Sequence, residues 1–244
     1  PYNFCLPERW DERLITRIED TALKGFATLA QCSGELSTSA NATPSELAFE
    51  ALKLTPTSAR VDIIYKKECP KIIEINTQWV DAIQALEAFQ VAYLGLPRRP
   101  SPTDLMTECF AKGSKLAIIN LTSGSGSRSK GCETELQVLV NTLLRKNKFA
   151  GVEVVDPRKV RPTYLGEFTN FYLNGEPSML RSDVPDWLQV ILDKFARGGA
   201  TLFPNWRPAL DKKRVLIEAS QKNPDFAPTL GWSSENVKKM QREF

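Results

Sequence analysis

Residues 115–121, KLAIINL, restrict the possible folds of this sequence more than any other segment. A strand with one face in water alternates apolar and polar residues, whereas a nearly continuous apolar run of strand length is buried on both faces. Such a strand belongs inside a parallel sheet covered by helices. The residues C-terminal to it agree. A Gly/Ser-rich stretch, TSGSGSRSKG, occupies 122–131, an amphipathic helical pattern runs over 133–146, and a second β-rich run, GVEVV, fills 151–155. Strand, loop, helix and strand in this order make a βαβ unit with a right-handed crossover.

Elsewhere the patterns are more local. Leu14, Ile15, Ile18, Ala22, Phe26 and Leu29 recur at helical spacing and predict a helix over 8–32. Residues 33–44 are polar and form a loop. Thr43-Pro44-Ser45-Glu46 is a helix start leading into 47–54. Two β-rich runs, 60–66 and 71–76, flank a Glu68-Cys69-Pro70 turn and predict a hairpin. A helix is expected over 79–94, a proline-marked linker at Pro97, Pro100 and Pro102, and a short helix over 103–111. Asn174-Gly175 predicts a second hairpin, joining strands 168–173 and 178–181. A helix over 186–196, a strand at 200–203 and helices over 210–220 and 233–244 complete the reading. The expected class is α/β. A helical N-terminal region with a β-hairpin (1–113) precedes a Rossmann-like three-layer parallel-sheet domain (114–206), and C-terminal helices come last (207–244). The first residue is Pro1 and the last predicted helix runs to Phe244, so the chain is read as a piece of a longer one.

Composition removes several function classes. The sequence has 244 residues and no histidine, which excludes a Ser-His-Asp triad, a Cys-His pair and any His-ligated metal within this chain. Cys5, Cys32, Cys69, Cys109 and Cys132 are scattered, with no CxxC, and read as reduced thiols in an intracellular compartment. The longest apolar runs are too short to span a bilayer, and no signal segment is seen. Lys plus Arg is 32 against 29 for Asp plus Glu; a net +3 is too weak to point to nucleic acid.

Two constellations can carry chemistry. The first is the stretch after 115–121. Ser123, Ser125, Ser127 and Arg128, with Lys130, come after the carboxyl end of a buried strand, where ligands of open α/β sheets bind. Backbone N–H groups, a helix N-terminus and two cations favour an anion. The stretch is neither a Walker A loop, since Cys132-Glu133 comes after Gly131, nor GxGxxG, since residue 129 is Ser. A solvated surface loop is the competing reading. Asp156, ending the next strand, stands where a ribose-binding acid sits in dinucleotide folds. The second constellation is the first hairpin. Alternation puts Arg60 and Asp62 on one face of their strand and Glu74 and Asn76 on one face of theirs. A carboxylate and an amide oxygen two residues apart suit a hard cation, and an arginine suits a carboxylate held bidentately. A solvated face of cross-strand ion pairs is the alternative. Arg181, at the end of 178–181, is either a further substrate contact or a surface arginine.

Arg60-x-Asp62, a turn, and Ile73-Glu74-Ile75-Asn76-Thr77 resemble the substrate-domain signature of eukaryotic glutathione synthetases, within the circularly permuted ATP-grasp ligases that include glutathionylspermidine synthase-like enzymes. The order of parts over 55–220 is similar, including Glu133-Thr134-Glu135-Leu136 in the crossover helix and the Lys-Lys helix near Lys212-Lys213. The resemblance implies that Glu74 and Asn76 contact magnesium on ATP phosphates, that Arg60 holds a small-molecule or peptide carboxylate, and that 122–131 shapes the substrate pocket. It implies an acyl-phosphate mechanism, which needs no histidine. The family continues into an ATP-grasp part with a Gly-rich lid and further acidic ligands, so Mg2+ and ATP are expected to need residues beyond this chain, in cis or on another chain. Two other classes stay open: a non-catalytic assembly protein on a ligase-derived fold, and a stand-alone nucleotide-binding module.

Overall fold

The computed structural model describes residues 12–33, 42–56, 58–66, 69–77, 102–121, 129–175 and 183–229. The expected helices over 79–94 and 233–244, and the strand at 178–181, lie outside the described residues. The elements are α1 (Glu12–Ser33), α2 (Pro44–Ala51), the hairpin strands β1 (Arg60–Lys66) and β2 (Cys69–Asn76), α3 (Pro102–Glu108), β3 (Lys115–Asn120), α4 (Ser129–Arg145), β4 (Gly151–Val155), a 3-10 turn (Pro162–Glu167), β5 (Asn170–Asn174), α5 (Asp186–Ala196), β6 (Thr201–Phe203), a second 3-10 turn (Pro208–Asp211) and α6 (Lys213–Lys222). The chain is mixed α/β: a helical N-terminal segment, an antiparallel hairpin and a four-stranded parallel sheet flanked by helices.

These elements gather into two compact units that interleave along the sequence. One holds α2, α3, the parallel sheet, α4 and α5, and runs to Arg207. The other holds α1, the hairpin and the chain from Pro208 onward. The division expected from the sequence was contiguous. The observed one is not, because β2 packs with helices far from it in sequence.

The parallel sheet has the order β4-β3-β5-β6. Leu116, Ala117, Ile118 and Ile119 of β3 are fully buried, as the apolar run predicts. Its pleat sends alternate residues to two helical layers. Ala117 and Ile119, with Phe171 and Leu173 of β5, pack against Trp187, Leu188 and Ile191 of α5 and Phe49 of α2. Leu116 and Ile118, with Tyr172, pack against Met106 of α3, Phe110 just beyond it, and Leu139 and Leu143 of α4. Each such side chain contributes roughly 1.5–3 kcal/mol when fully buried. α2 begins as its sequence predicts. Glu46 N–H donates to Thr43 Oγ1 and Thr43 N–H to Glu46 Oε2, a closed capping box.

Three expectations change. β5 is an interior strand of the parallel sheet and not a strand of a free-standing hairpin: it is hydrogen-bonded in parallel to β3 on one side and, over Asn170–Tyr172, to β6 on the other, while the return strand expected at 178–181 lies outside the described residues. α4 begins at Ser129, so Ser129, Lys130 and Gly131 form its first turn rather than the end of the preceding loop. Cys69 and Pro70 belong to β2, paired with Lys66 and Tyr65, and not to the turn.

In the second unit, α1 buries Thr21, Gly25, Leu29 and Cys32, a stripe at helical spacing. At Gly25 the buried Ile72 of β2 comes close to the helix backbone, so a Cβ there would push its Cδ1 aside. β2 is also bridged by the chain after α6. Ile72 N–H donates to Asp225 O at 2.9 Å, and Ala227 N–H to Ile72 O at 2.8 Å.

Candidate functional site

The hairpin brings its polar residues to one face. Arg60 pairs with Asn76 and Asp62 with Glu74, directly across the ladder, and directly opposed residues share a face. A register irregularity comes after Asp62, so Ile63 pairs with Ile72. This turns Ile72 to the apolar side with Ile75, both buried, and leaves Ile73 exposed. Plain alternation puts Ile72 on the wrong side; the bulge corrects it.

Arg60 is already engaged. Its Nε donates to Asp62 Oδ1 at 3.0 Å and its Nη2 to Asp62 Oδ2 at 3.3 Å, both side chains being about one-third exposed. A substrate carboxylate at Arg60 must displace a bidentate intramolecular rival. Glu74 is half-buried and also has a partner. Two carboxylates opposed across a ladder repel each other, and Arg60 neutralises one of them. Glu74 and Asn76 can therefore supply part of a hard-cation shell, which magnesium completes with waters and phosphates. Among the described residues no group of three or more His, Cys, Asp or Glu could hold a metal ion alone.

The second location is the carboxyl edge of the parallel sheet. The crossover from β3 through α4 returns to β4, and that from β5 through α5 returns to β6. The two crossovers run outward in opposite directions, and their helices cover opposite faces. Right-handed crossovers permit only this when the strand order reverses between β3 and β5. Open α/β sheets bind ligands at such a switch point, beyond the carboxyl ends of the strands. Antiparallel to the strands, α4 and α5 bring their N-termini to the same edge, where the helix dipoles favour an anion.

Two buried amides stand at the switch point. Asn120 ends β3 and Asn174 ends β5; they pair in register, each 8% exposed. Asn174 Nδ2 donates to Asn120 Oδ1 at 3.2 Å, and Leu121 N–H donates to Asn174 O at 2.9 Å. Gly175 then leaves the sheet with a φ of 127°, a conformation that only glycine adopts readily. Sequence reasoning missed this pair. Asn174 reads as a turn residue, and nothing local shows that it faces Asn120, 54 residues earlier.

Ser123, Ser125, Ser127 and Arg128 come after β3, and Arg181 comes after β5; all five lie outside the described residues. The strands that precede them in sequence, β3 and β5, are neighbours in the sheet. Asp156, beyond β4, is not open to a ribose. Its carboxylate accepts from Arg158 N–H at 3.0 Å, from Arg158 Nε at 3.1 Å and from Nη2 at 3.0 Å, with Lys159 Nζ at 3.7 Å. The hydrogen bonds from Arg158 hold its carboxyl below the usual range.

No helix among the described residues is long and apolar enough to cross a membrane. Against protein-family models, curated proteins and solved structures, the chain has no match.

Proposed function

We propose that this chain is the substrate-binding portion of an ATP-dependent carboxylate–amine ligase of a reducing, intracellular compartment, and that it holds the carboxylate at the switch point between β3 and β5. The observation that carries this reading is the switch point itself: a reversed strand order, a buried amide pair at the reversal, and two helix N-termini at the same edge. The shared polar face of the hairpin supports the nucleotide half. In this reaction a carboxylate oxygen attacks the γ-phosphorus of ATP and ADP leaves. The amine nitrogen then attacks the acyl phosphate carbon, and inorganic phosphate departs with loss of a proton from nitrogen. Magnesium, when bound, neutralises the phosphate charge, and Glu74 and Asn76 are the residues that would hold it. This chain contributes binding and orientation; the remaining ATP-grasp part acts in cis or from another chain.

The test is calorimetry and 15N NMR of this chain with MgATP and with a panel of small carboxylates and peptides. The reading expects carboxylates to shift the amide signals of Leu121 and Gly175. It expects MgATP to bind no tighter than about millimolar, because most nucleotide contacts belong to the remaining part. Replacing Arg128 with Ala should weaken the carboxylate by roughly 1.5–3 kcal/mol. Micromolar binding of ATP or NAD by this chain alone would overturn the reading in favour of a stand-alone nucleotide module.

A further inference from the structure

Four side-chain oxygens among the described residues are unpartnered and wholly enclosed: Ser45 Oγ, Ser58 Oγ, Thr169 Oγ1 and Asn205 Oδ1. No ligand reaches them. Asn174 differs. Among the described residues its one side-chain hydrogen bond is the one that Nδ2 donates to Asn120 Oδ1, which leaves its own Oδ1 without a donor. The residue is only 8% exposed, yet this oxygen is not one of the enclosed four, so it keeps a path to the surface. An amide oxygen only accepts, and a mostly buried acceptor without a donor is costly until something supplies one.

The register places this oxygen. Asn120 pairs with Asn174, two residues beyond the pair of Ile118 with Tyr172. Ile118 and Tyr172 pack against α4, and strand alternation puts the two amides on that same face. α4 runs antiparallel to the strands, so its first turn, at Ser129, belongs to the carboxyl edge on this face, and 17 residues of helix stand behind its positive end. The bond to Asn120 also decides which end of the Asn174 amide is presented: with Nδ2 held, Oδ1 is the end left for a ligand. Ile118, Ile119, Tyr172 and Leu173 beside the pair are buried and apolar, so a neutral donor comes here at a lower desolvation cost than an ammonium.

We infer that Asn120 and Asn174 form an orientation-locked acceptor at the switch point: Asn174 Oδ1 takes a hydrogen bond from a neutral O–H or N–H that the ligand carries near its carboxylate, and Asn120 is the positioning residue that keeps the amide turned that way. The inference rests on the reading that a carboxylate is held at this edge, and adds which residues sort one carboxylate from another. A ligand with the donor completes a bond that the free protein lacks. An isostere with a methyl or methylene in its place leaves the acceptor unpaired, and sites that pair a polar group in this way reject such analogues.

The experiment uses the full chain and two isosteric pairs of probes. Glycolate and propionate differ by O–H against CH3, and N-acetylglycine and levulinate by N–H against CH2. Binding is followed by NMR at the amide signals of Leu121 and Gly175 and at the side-chain amide of Asn174. In at least one pair the donor-bearing member is expected to bind about tenfold tighter, the scale of one net hydrogen bond. Asn174→Ala should bring that ratio to about one. Asn120→Ala, which frees the Asn174 amide to turn, should lower the ratio several-fold. Asn120→Asp still accepts from Nδ2 and should restore it, its added charge weakening both members of a pair alike. A purely structural role for Asn120 predicts no change of the ratio in either variant, and that result overturns the inference. If no probe moves these signals in the parent, the underlying carboxylate reading falls. If the probes bind but neither pair shows a preference, or the preference survives Asn174→Ala, this inference falls alone. Should Asn174→Ala fail to fold, the parent ratios and the two Asn120 variants still decide the matter.

Discussion

Asn170 and Asn174 stand at opposite ends of the same five-residue strand, and their environments differ in kind. Asn170, fully buried at the amino edge, is bound to main chain. Its Oδ1 accepts from Ala111 N–H at 2.9 Å, and its Nδ2 donates to Ala111 O at 3.0 Å and to Ser114 Oγ at 2.7 Å. Around it, Lys148 donates to Thr107 O, Lys194 to Gly166 O and Phe168 O, and Lys146 pairs with Asp104. Helix C-termini gather at this edge and attract cations, so lysines fasten it. At the carboxyl edge Asn174 meets another side-chain amide, and the chain leaves through a glycine. Polar residues bound to backbone hold a fold together.

The largest test of this contrast is Asn170→Ala. It removes three hydrogen bonds of a fully buried amide, so stability should fall by about 3 kcal/mol in urea denaturation. Asn174→Ala removes one side-chain bond at an edge with some access to water and should cost about 1 kcal/mol. Equal losses would break the comparison.

Lys148→Met should rank between them, at about 1–2 kcal/mol near neutral pH, for loss of the bond to Thr107 O. Its pH dependence carries a sign. Burial first, and Lys112 second, push the Lys148 ammonium below its ordinary value. Between the lowered folded value and the unfolded value of about 10.4, the unfolded chain holds more protons, so this group makes stability rise with pH across that window. Denaturation between neutral pH and the alkaline range should show the rise in the parent and lose it in Lys148→Met.

The sequence disclosed what depends on neighbours along the chain. The buried strand at 115–120, the capping box at Thr43 and Glu46, and the hairpin face of Arg60, Asp62, Glu74 and Asn76 were all legible from spacing. What depends on distant partners was not. NFYLN reads as a hairpin strand before an Asn-Gly turn; only pairing on both sides makes it the centre of a parallel sheet. The start of α4 was hidden because Ser129, Lys130 and Gly131 have the composition of a loop. Within the candidate site, the strand ends were foreseen and the asparagines were not, since an amide declares itself as a ligand group only when its partner is known.

Asp156 marks the smallest expected effect and the sharpest limit on the contrast. It stands at the carboxyl edge, yet its carboxylate is committed to Arg158 and Lys159 and caps its own turn, so it should behave as a structural residue and not as a ligand group. The pairs are surface ones, with Arg158 and Lys159 well exposed, and such pairs contribute about 0.2–1 kcal/mol. Asp156→Asn should therefore lower stability by less than about 1 kcal/mol at neutral pH. Because the hydrogen bonds from Arg158 depress its folded pKa, the contribution is present above the unfolded value of about 3.9 and is lost as pH falls through the folded one. The difference between parent and Asp156→Asn should shrink toward zero on acidification, and carboxylate NMR should find Asp156 titrating below an ordinary aspartate. Binding of acetate or glycolate at the switch point should not change in the variant. A large loss of ligand affinity in Asp156→Asn, with stability intact, would move the site from the β3–β5 junction to the outer end of β4.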